Sequence, residues 1–567
     1  MKIRIDDACD EATARAIATV VSEHLDRPVE CVDEAGETVL ETGDTTDWAE
    51  EPAVVTEREE RIREDIADIM AGGPERGHEL IEDLGKVFVR DRLEMVFDEV
   101  NYEDGTFARF DADDRLPADG MITGVGSIDG RRAAFAANDY TVKGGSIGQM
   151  GSEKENRITE RAGGARLPLV RLIDSTGARL SPGERTEGET HADKYTGGRL
   201  FYLMSRLSGQ VPQIGVLYGP DIAGSAYIPV FCDFLIMVEK ISGMAIASPR
   251  VVKEVIGEDV SMQELGGPDV HATESGSADL VVPDEEAAAE AVRDLFEYLP
   301  QRYDGELPTV EPKPPSLNPH GLDAVIPDEP NKPYDVHEVI DRLVDRDSFF
   351  ELKARFAPEL VTGFAHIDGQ PVGILANQPS QVSGALFPDS AEKGAGFIWQ
   401  CDAFGIPLVY LCDTPGFMAG SQVERDGVLK KGRKMVYATS CAEVPKFCVI
   451  TRKAYGAGIY AMAGPAFGTD ATLALPTSEI AVMGPDAIVR AMYADNINDI
   501  KDPDERLAFI EEQKTNYEKD VRKQAARMQV DELIPAGDLR EQLVERLRTY
   551  EHKPRDDPDR IHGSILF

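Results

Sequence analysis

Short apolar runs alternate with longer amphipathic stretches along most of the chain, and the alternation recurs. PLVRLID (168–174) and IPLVYLCD (406–413) are rich in branched residues, the pattern of strands buried on both faces. Each run ends in a turn of small residues, STGAR (175–179) or TPGFMAG (414–420), ahead of a polar, helix-like stretch. Strands alternating with helices in this way predict an α/β fold with mainly parallel sheets.

The alternation is a duplication. TGVGSIDG (123–130) and TGFAHIDG (362–369) share T-G-x-x-x-I-D-G at an offset of 239 residues. That offset carries Asn138 onto Asn377, Gly145 onto Gly384 and Glu153-Lys154 onto Glu392-Lys393. It also carries Pro168-Leu169-Val170 onto Pro407-Leu408-Val409, Asp174 onto Asp413 and Gly177 onto Gly416. With small insertions the match continues from Val211–Tyr227 to Val444–Tyr460, and from Met244–Val252 to Ile480–Val489. Two halves that fold alike are expected, over 59–307 and 336–567. The segment 308–335 is dense in proline without periodicity and predicts an extended connector. After Asp502 a helical pattern runs over 506–549, broken near Pro535. Residues 1–58 precede the repeat and have no assigned role; VECVDEAGETVLE within them predicts a hairpin around Ala35-Gly36.

Charge narrows the function. The 567 residues carry 103 acidic against 60 basic side chains, a formal charge of −43, which disfavours binding to nucleic-acid phosphates. The acids are spread among apolar segments, as on a solvated globular surface. Such a surface suits concentrated salt, an expectation that a melting curve unaffected by KCl would remove. The N-terminus lacks the apolar core of a secretion signal, and no uncharged apolar run is long enough to span a bilayer. Seven cysteines form no C-x-x-C and sit mainly in apolar stretches, as expected of reduced thiols in a cytoplasmic protein.

Several motifs fail on inspection. Gly124 opens a dinucleotide-like loop that lacks its third glycine. Gly144-Gly145-Ser146-Ile147-Gly148 fits the nucleophile-elbow spacing, but no apolar strand immediately precedes it and its repeat has Ala385 in place of Ser146. A flexible loop offering backbone contacts to a substrate, with Gly144 and Gly145 at its centre, is the better reading. The nine histidines form no H-x-x-x-H, so no metal site is expected. Lys430, Lys431, Arg433 and Lys434 are either a solvated helix face or a handhold for the phosphates of a nucleotide-like ligand. Four loops of small residues then stand out: Thr176-Gly177-Ala178, Ala223-Gly224, Pro415-Gly416 and Gly456-Ala457-Gly458. Amides at such strand ends can hold developing negative charge, each donor worth about 3–4 kcal/mol on an enolate-like transition state.

At these loops the chain resembles the carboxyltransferases of biotin-dependent acyl-CoA carboxylases. DSTGAR (174–179) is similar to the family's D-S-G-G-A-R turn. GKVFVRDRLEMVFDE (85–99), SPRVVKEVIGEDVSMQELGG (248–267), CDAFGIPLV…DTPGF (401–417), VPKFCVITRKAYGAG (444–458), PTSEIAVMGPDA (476–487) and HGSI (562–565) resemble its other hallmarks. The resemblance implies two crotonase-like domains per chain and a homo-hexameric ring, a trimer of dimers. Acyl-CoA is then expected on the N-terminal half and biotin on the C-terminal half of a neighbour. It makes Thr176 and Gly177 the amide pair for the thioester enolate, and Ala457 and Gly458 the pair for the biotin ureido oxygen. Ala178, Ala223, Gly224, Gly416 and Phe417 are expected to line the substrate sites. Tyr460 falls where the family sets the size of the acyl pocket. In such enzymes biotin is both carboxyl carrier and base, so no catalytic His or Glu is required. A biotinyl-lysine motif is absent, so biotin is expected from a biotin carboxylase or carboxyl-carrier subunit. Propionyl-CoA is the leading substrate. The G-A-G form at 456–458 also resembles methylcrotonyl-CoA enzymes and subunits of membrane decarboxylase complexes. A stand-alone crotonase-type hydratase would need paired carboxylates beside the amide loops, and neither half shows them.

Overall fold

The duplicated register reappears element by element in the computed structural model, which describes residues 2–4, 30–32, 38–41, 55–111, 116–179, 197–515 and 520–554. It divides into two units, 1–68 and 69–567. In the first, β1 (Lys2–Arg4), β2 (Glu30–Val32) and β3 (Thr38–Glu41) form one sheet. β2 and β3 pair antiparallel, as the predicted hairpin requires, although its turn at Ala35-Gly36 lies outside the described residues.

In the second unit each repeat builds one mixed sheet. The N-terminal strands are β4 (Glu99–Asp104), β5 (Met121–Ile128), β6 (Arg131–Asn138), β7 (Leu169–Ile173), β8 (Gln213–Leu217), β10 (Phe234–Val238) and β12 (Leu280–Val282), in spatial order β12-β10-β8-β7-β6-β5-β4. The C-terminal order is β13 (Phe350–Leu352), β14 (Leu360–Ile367), β15 (Gln370–Asn377), β16 (Leu408–Thr414), β17 (Lys446–Tyr455), β18 (Ala471–Ala474) and β20 (Glu532–Leu533). In both sheets the first three strands pair antiparallel and the rest parallel. β5 and β6 superpose on β14 and β15 at the 239-residue offset without a residue's slip, and the helix Gln149–Ala165 falls on Pro388–Phe404 in the same way. The short strands β9 (Pro220–Ile222) and β11 (Gly243–Ala245) pair beside the first sheet. In the second, β19 (Glu479–Ala481) answers β11 and pairs with the end of β17.

One apolar core runs through both repeats, from Phe135, Val170 and Phe234 to Phe364, Phe397 and Tyr410. Phe234 meets Phe364 edge-on at 5.8 Å, and Tyr298 stacks on Phe364 and His366. The proline-rich segment expected to be extended is also clamped. Arg452 donates to the carbonyls of Glu329 and Lys332 (both 2.9 Å), Lys453 to Pro330 (2.9 Å), and Leu322 and Ile326 are buried against the C-terminal sheet. Its amides are held too, Val310 donating to Gly369 O and Leu317 to Asp341 O (both 3.0 Å), and the run expected to be extended includes one 3-10 turn, Pro319–Ala324. The helical tail is present as Pro503–Lys514, Val521–Ala525 and Leu539–Tyr550, with β20 interposed just before Pro535. No helix among the described residues is long and apolar enough to cross a membrane.

Candidate active site

Each repeat places two loops of small residues side by side, and one asparagine at the end of β6 or β15 sets the spacing. Asn138 donates to Gly145 O (3.4 Å) and accepts from Asp174 N–H (3.3 Å). Asn377 does the same with Gly384 (3.3 Å) and Asp413 (3.1 Å). Beyond these pins, Ile147 bridges to Ala178 and Leu386 to Phe417. Gly145 and Gly384 have φ +65° and +75°, and a Cβ on either would meet the carbonyl oxygen of Asp174 or Asp413 at 1.9 or 2.4 Å. Only glycine fits either position. Gly144, at φ +66°, abuts Thr176.

The second pair of loops closes on the first. A Cβ on Gly177 would stand 3.2 Å from Ile222 O and 3.6 Å from Ser225 Oγ. A Cβ on Gly458 would stand 2.8 Å from Gly416 Cα. Thr176, Ala178, Ala223, Gly224 and Ala457 are exposed, whereas Gly177, Gly416 and Gly458 are buried at the base of their turns. The amides differ in availability. Thr176 N–H donates to Gly144 O (3.2 Å), and Gly177 N–H to Ser175 Oγ (3.0 Å), so a ligand oxygen would have to displace both acceptors. Gly416 N–H is likewise held by Thr414 Oγ1 (3.1 Å). The amides of Gly224, Ser225, Ala457 and Gly458 have no acceptor among the described residues. They lie ahead of the one-turn helix Tyr227–Val230 and at the start of Gly458–Ala461, where N–H groups are left without carbonyl partners.

Next to these turns stand two aspartates, Asp174 just past β7 and Asp413 next to last in β16. Asp174 is fully buried between Lys86 Nζ (2.6 Å) and Arg92 Nη1 (3.1 Å), and Arg92 also pairs with Glu285 (2.5 Å). Asp413, equally buried, is held by Arg452 Nε (3.0 Å) and Lys453 Nζ (2.8 Å). None of these four cations was identified from sequence: a single Lys or Arg in an apolar run carries no signal of its partner. The partners of Arg179, at the end of the DSTGAR turn, are equally silent in the sequence. Arg179 ion-pairs with Asp119 and donates to Ser146 O (2.7 Å) and Oγ (3.2 Å), tying the 144–146 loop to the 176–179 turn. Ser146 Oγ also donates to Lys143 O (2.9 Å).

The remaining expected residues are placed as follows. Tyr460 is half exposed and stacks on Phe467 at 5.0 Å, on the one-turn helix that begins at Gly458. Phe417 packs against Gly432. Of the basic cluster, Lys431 and Lys434 are paired with Asp389 and Glu392, while Lys430 and Arg433 are exposed. His562–Ile565 lie outside the described residues. No cluster of metal-ligating side chains occurs among the described residues.

Known proteins share this architecture. Residues 82–565 match the carboxyl transferase domain family. The chain is 47% identical over 516 residues to the uncharacterized carboxylase YngE of Bacillus subtilis (strain 168), covering 89% of this chain and 97% of that one. It is 39% identical over 523 residues to the propionyl-CoA carboxylase carboxyltransferase subunit of Haloferax mediterranei, covering 90% and 99%. Among solved structures it is similar to the transcarboxylase 12S hexamer with methylmalonyl-coenzyme A and methylmalonic acid bound, at TM-score 0.81 and 37% identity over 91% of this chain and 99% of that one. The chain therefore belongs to the carboxyl transferase domain family, as a carboxyltransferase subunit of the biotin-dependent acyl-CoA carboxylases.

Proposed function

We propose that this subunit carboxylates the α-carbon of a short acyl-CoA, with propionyl-CoA as the leading substrate, using backbone amides as its electrostatic catalysts. The observation that carries the reading is the duplicated cradle, in which open amides at Gly224-Ser225 and at Ala457-Gly458 face loops of small residues. Such donors stabilise an oxyanion without rearranging, because the strand ends already fix them.

In the N-terminal repeat the thioester oxygen is received between the Thr176-Gly177 turn and the Ala223–Ser225 loop, with Gly144, Gly145 and Ala178 as the floor. In the C-terminal repeat Ala457 and Gly458 receive the ureido oxygen of biotin, with Gly416 and Phe417 opposite. The absence of any side chain at Gly458 and the small methyl of Ala457 fit a carbonyl approaching the backbone closely. When bound, biotin supplies the carboxyl group and the base that takes the α-proton. The protein's share is to orient both ligands and to hold negative charge on amides. Buried Asp174 and Asp413 keep the turns in place and touch no ligand.

Three further assignments belong to this proposal. The chain is organised as an extension (1–58), an acyl-side domain (59–307), a connector (308–335) and a biotin-side domain (336–567). It assembles as a homo-hexamer in the cytoplasm and receives biotin from a carrier or biotin carboxylase subunit. Its acidic surface favours high salt. Support for the substrate and assembly comes from the propionyl-CoA carboxylase relative and from the hexamer with methylmalonyl-coenzyme A. Tyr460 sets acyl length, and Tyr460→Ala should shift preference to longer chains. The test is decarboxylation of malonyl-type CoA thioesters in the presence of free biotin, over a series of acyl lengths. Biotin-dependent turnover peaking at methylmalonyl-CoA is expected. Turnover independent of biotin would overturn the assignment.

A further inference from the structure

Asp221 is fully buried on β9, beside Met244 of β11, in a place where the C-terminal repeat has Ala454. Its Oδ1 contacts Ser225 Oγ, which answers Gly458 of the other repeat, while its Oδ2 has no hydrogen-bond partner. Ser225 Oγ also lies 2.9 Å from Ile222 O. A hydroxyl has one proton, yet here it faces two acceptors if Asp221 is ionised. Ile222 O cannot donate. Both contacts are hydrogen bonds only if Asp221 carries a proton, donates it to Ser225 Oγ, and lets Ser225 donate to Ile222 O. An oxygen without a donor is tolerable on a neutral acid and costly on a buried carboxylate. Burial, chiefly, pushes the carboxyl up to about 7 against the lowering hydrogen bonds of Ser225 and the Ile222 backbone, and Glu155 of the helix Gln149–Ala165 adds to the rise. Glu155 is itself bound by Arg171 of β7 (2.6 Å), so no cation is left to face Asp221 among the groups that act on it.

The carbonyl and the hydroxyl matter because of where they stand: Ile222 O and Ser225 Oγ are the atoms that wall in Gly177. We propose that Asp221 and Ser225 form a neutral acid–hydroxyl dyad that fixes the acyl-side wall at Gly177, Asp221 acting as a positioning residue through Ser225. The inference rests on the functional reading above and adds to it a reason for the repeats to differ. The biotin side has no room for such a dyad, since a Cβ on Gly458 would meet Gly416 Cα and Thr414 Cγ2 at 2.8 Å. When Asp221 ionises, Ser225 turns its proton to the carboxylate and releases Ile222 O, which loosens the wall.

The experiment follows the KM for methylmalonyl-CoA and the KM for free biotin separately, between about pH 6 and pH 8.5, in the full-length protein and two variants. In the wild type the acyl-CoA KM is expected to rise about five-fold over this range while the biotin KM does not follow it. Asp221→Asn, whose amide donates to Ser225 as a protonated carboxyl does, should abolish that rise. Ser225→Ala should raise the acyl-CoA KM at every pH and leave no inflection. Identical pH profiles in wild type and Asp221→Asn would overturn the dyad, as would an acyl-CoA KM unmoved by Ser225→Ala. A wild type that turns over no malonyl-type thioester would remove the functional reading itself, and the dyad's role with it. Thermal melting gives an independent check. An acid raised on folding contributes fully below its ordinary value near 4, and that contribution is lost as pH rises through about 7. Wild type should therefore melt below Asp221→Asn at pH 8 and together with it near pH 4, and equal melting at both would count against a neutral Asp221.

Discussion

In the N-terminal repeat Asp174 is neutralised by Lys86 and Arg92, which precede the duplicated register, whereas in the C-terminal repeat Asp413 is neutralised by Arg452 and Lys453 on the adjacent strand β17. The two aspartates stand at the same place in the duplicated register, each with its amide bound by the equivalent asparagine. What duplication kept is the placement of the turns; what diverged is the source of positive charge. A buried carboxylate needs a partner but does not dictate where it comes from. The N-terminal turn thus depends on a helix, Val89–Val96, laid under it from outside the repeat. The C-terminal turn depends on its own sheet.

That difference is open to attack at its strongest point. Asp174→Ala and Asp413→Ala should each cost about 3–5 kcal/mol, because each strands two buried cations. Denaturant midpoints measure the loss. Coupling should separate the repeats: a Lys86→Met background is expected to soften Asp174→Ala by more than about 1 kcal/mol and to leave Asp413→Ala unchanged. Equal coupling to both would mean that the two sites share one unfolding unit.

The next largest effect concerns catalysis. Gly458→Pro removes one open amide donor and should lower kcat about 10²–10³-fold. Gly458→Ala keeps the donor but forces a methyl against Gly416 and Thr414, so it separates steric damage from loss of the proton. A kcat for Gly458→Ala as low as that of Gly458→Pro would break the claim that the donor is what matters there. A smaller, purely structural effect tests the equivalence of the pinned loops. Gly145→Ala and Gly384→Ala should each destabilise by about 1–3 kcal/mol, through a left-handed φ and a carbonyl in the way. If only one did so, the loops would not be equivalent.

The sequence made the duplication readable because gapless repeats write their register directly: β5, β6 and the helix after them coincide with β14, β15 and theirs at the predicted offset. The small-residue loops were readable for the same reason, since Gly145 and Gly384 recur where a carbonyl excludes a side chain. Which amides are open was not readable. The amides of Thr176 and Gly177 are bonded here to Gly144 O and Ser175 Oγ, a local pairing that residue types do not announce. Buried charges were equally silent. Lys86, Arg92 and Asp221 look like ordinary polar residues until the fold brings their partners to them from up to 193 residues away, as with Arg92 and Glu285.

The outer strands offer the mildest contrast, one that alkaline pH exposes. β4 and β13 are equivalent edges, each antiparallel to the next strand. Glu103 of β4 is held by Arg90 (2.9 Å), a cation at any working pH. Glu351 of β13 is held by His337 (3.0 Å), whose other nitrogen meets Asp335 (2.7 Å). The hydrogen bond to Glu351, and then that to Asp335, push His337 up to about 9. A histidine raised on folding stabilises fully below its ordinary value near 6.5, and the contribution is lost as pH climbs through about 9. Solvent reaches this side chain, which is 37% exposed, so the contribution is screened to below about 1 kcal/mol. Hydrogen exchange, corrected for intrinsic rates, should show β13 losing protection between about pH 7 and pH 9.5 while β4 holds. His337→Gln should flatten the change. If β4 and β13 weakened together, the alkaline effect would lie in the shared core, because Arg90 has no proton to lose in that range.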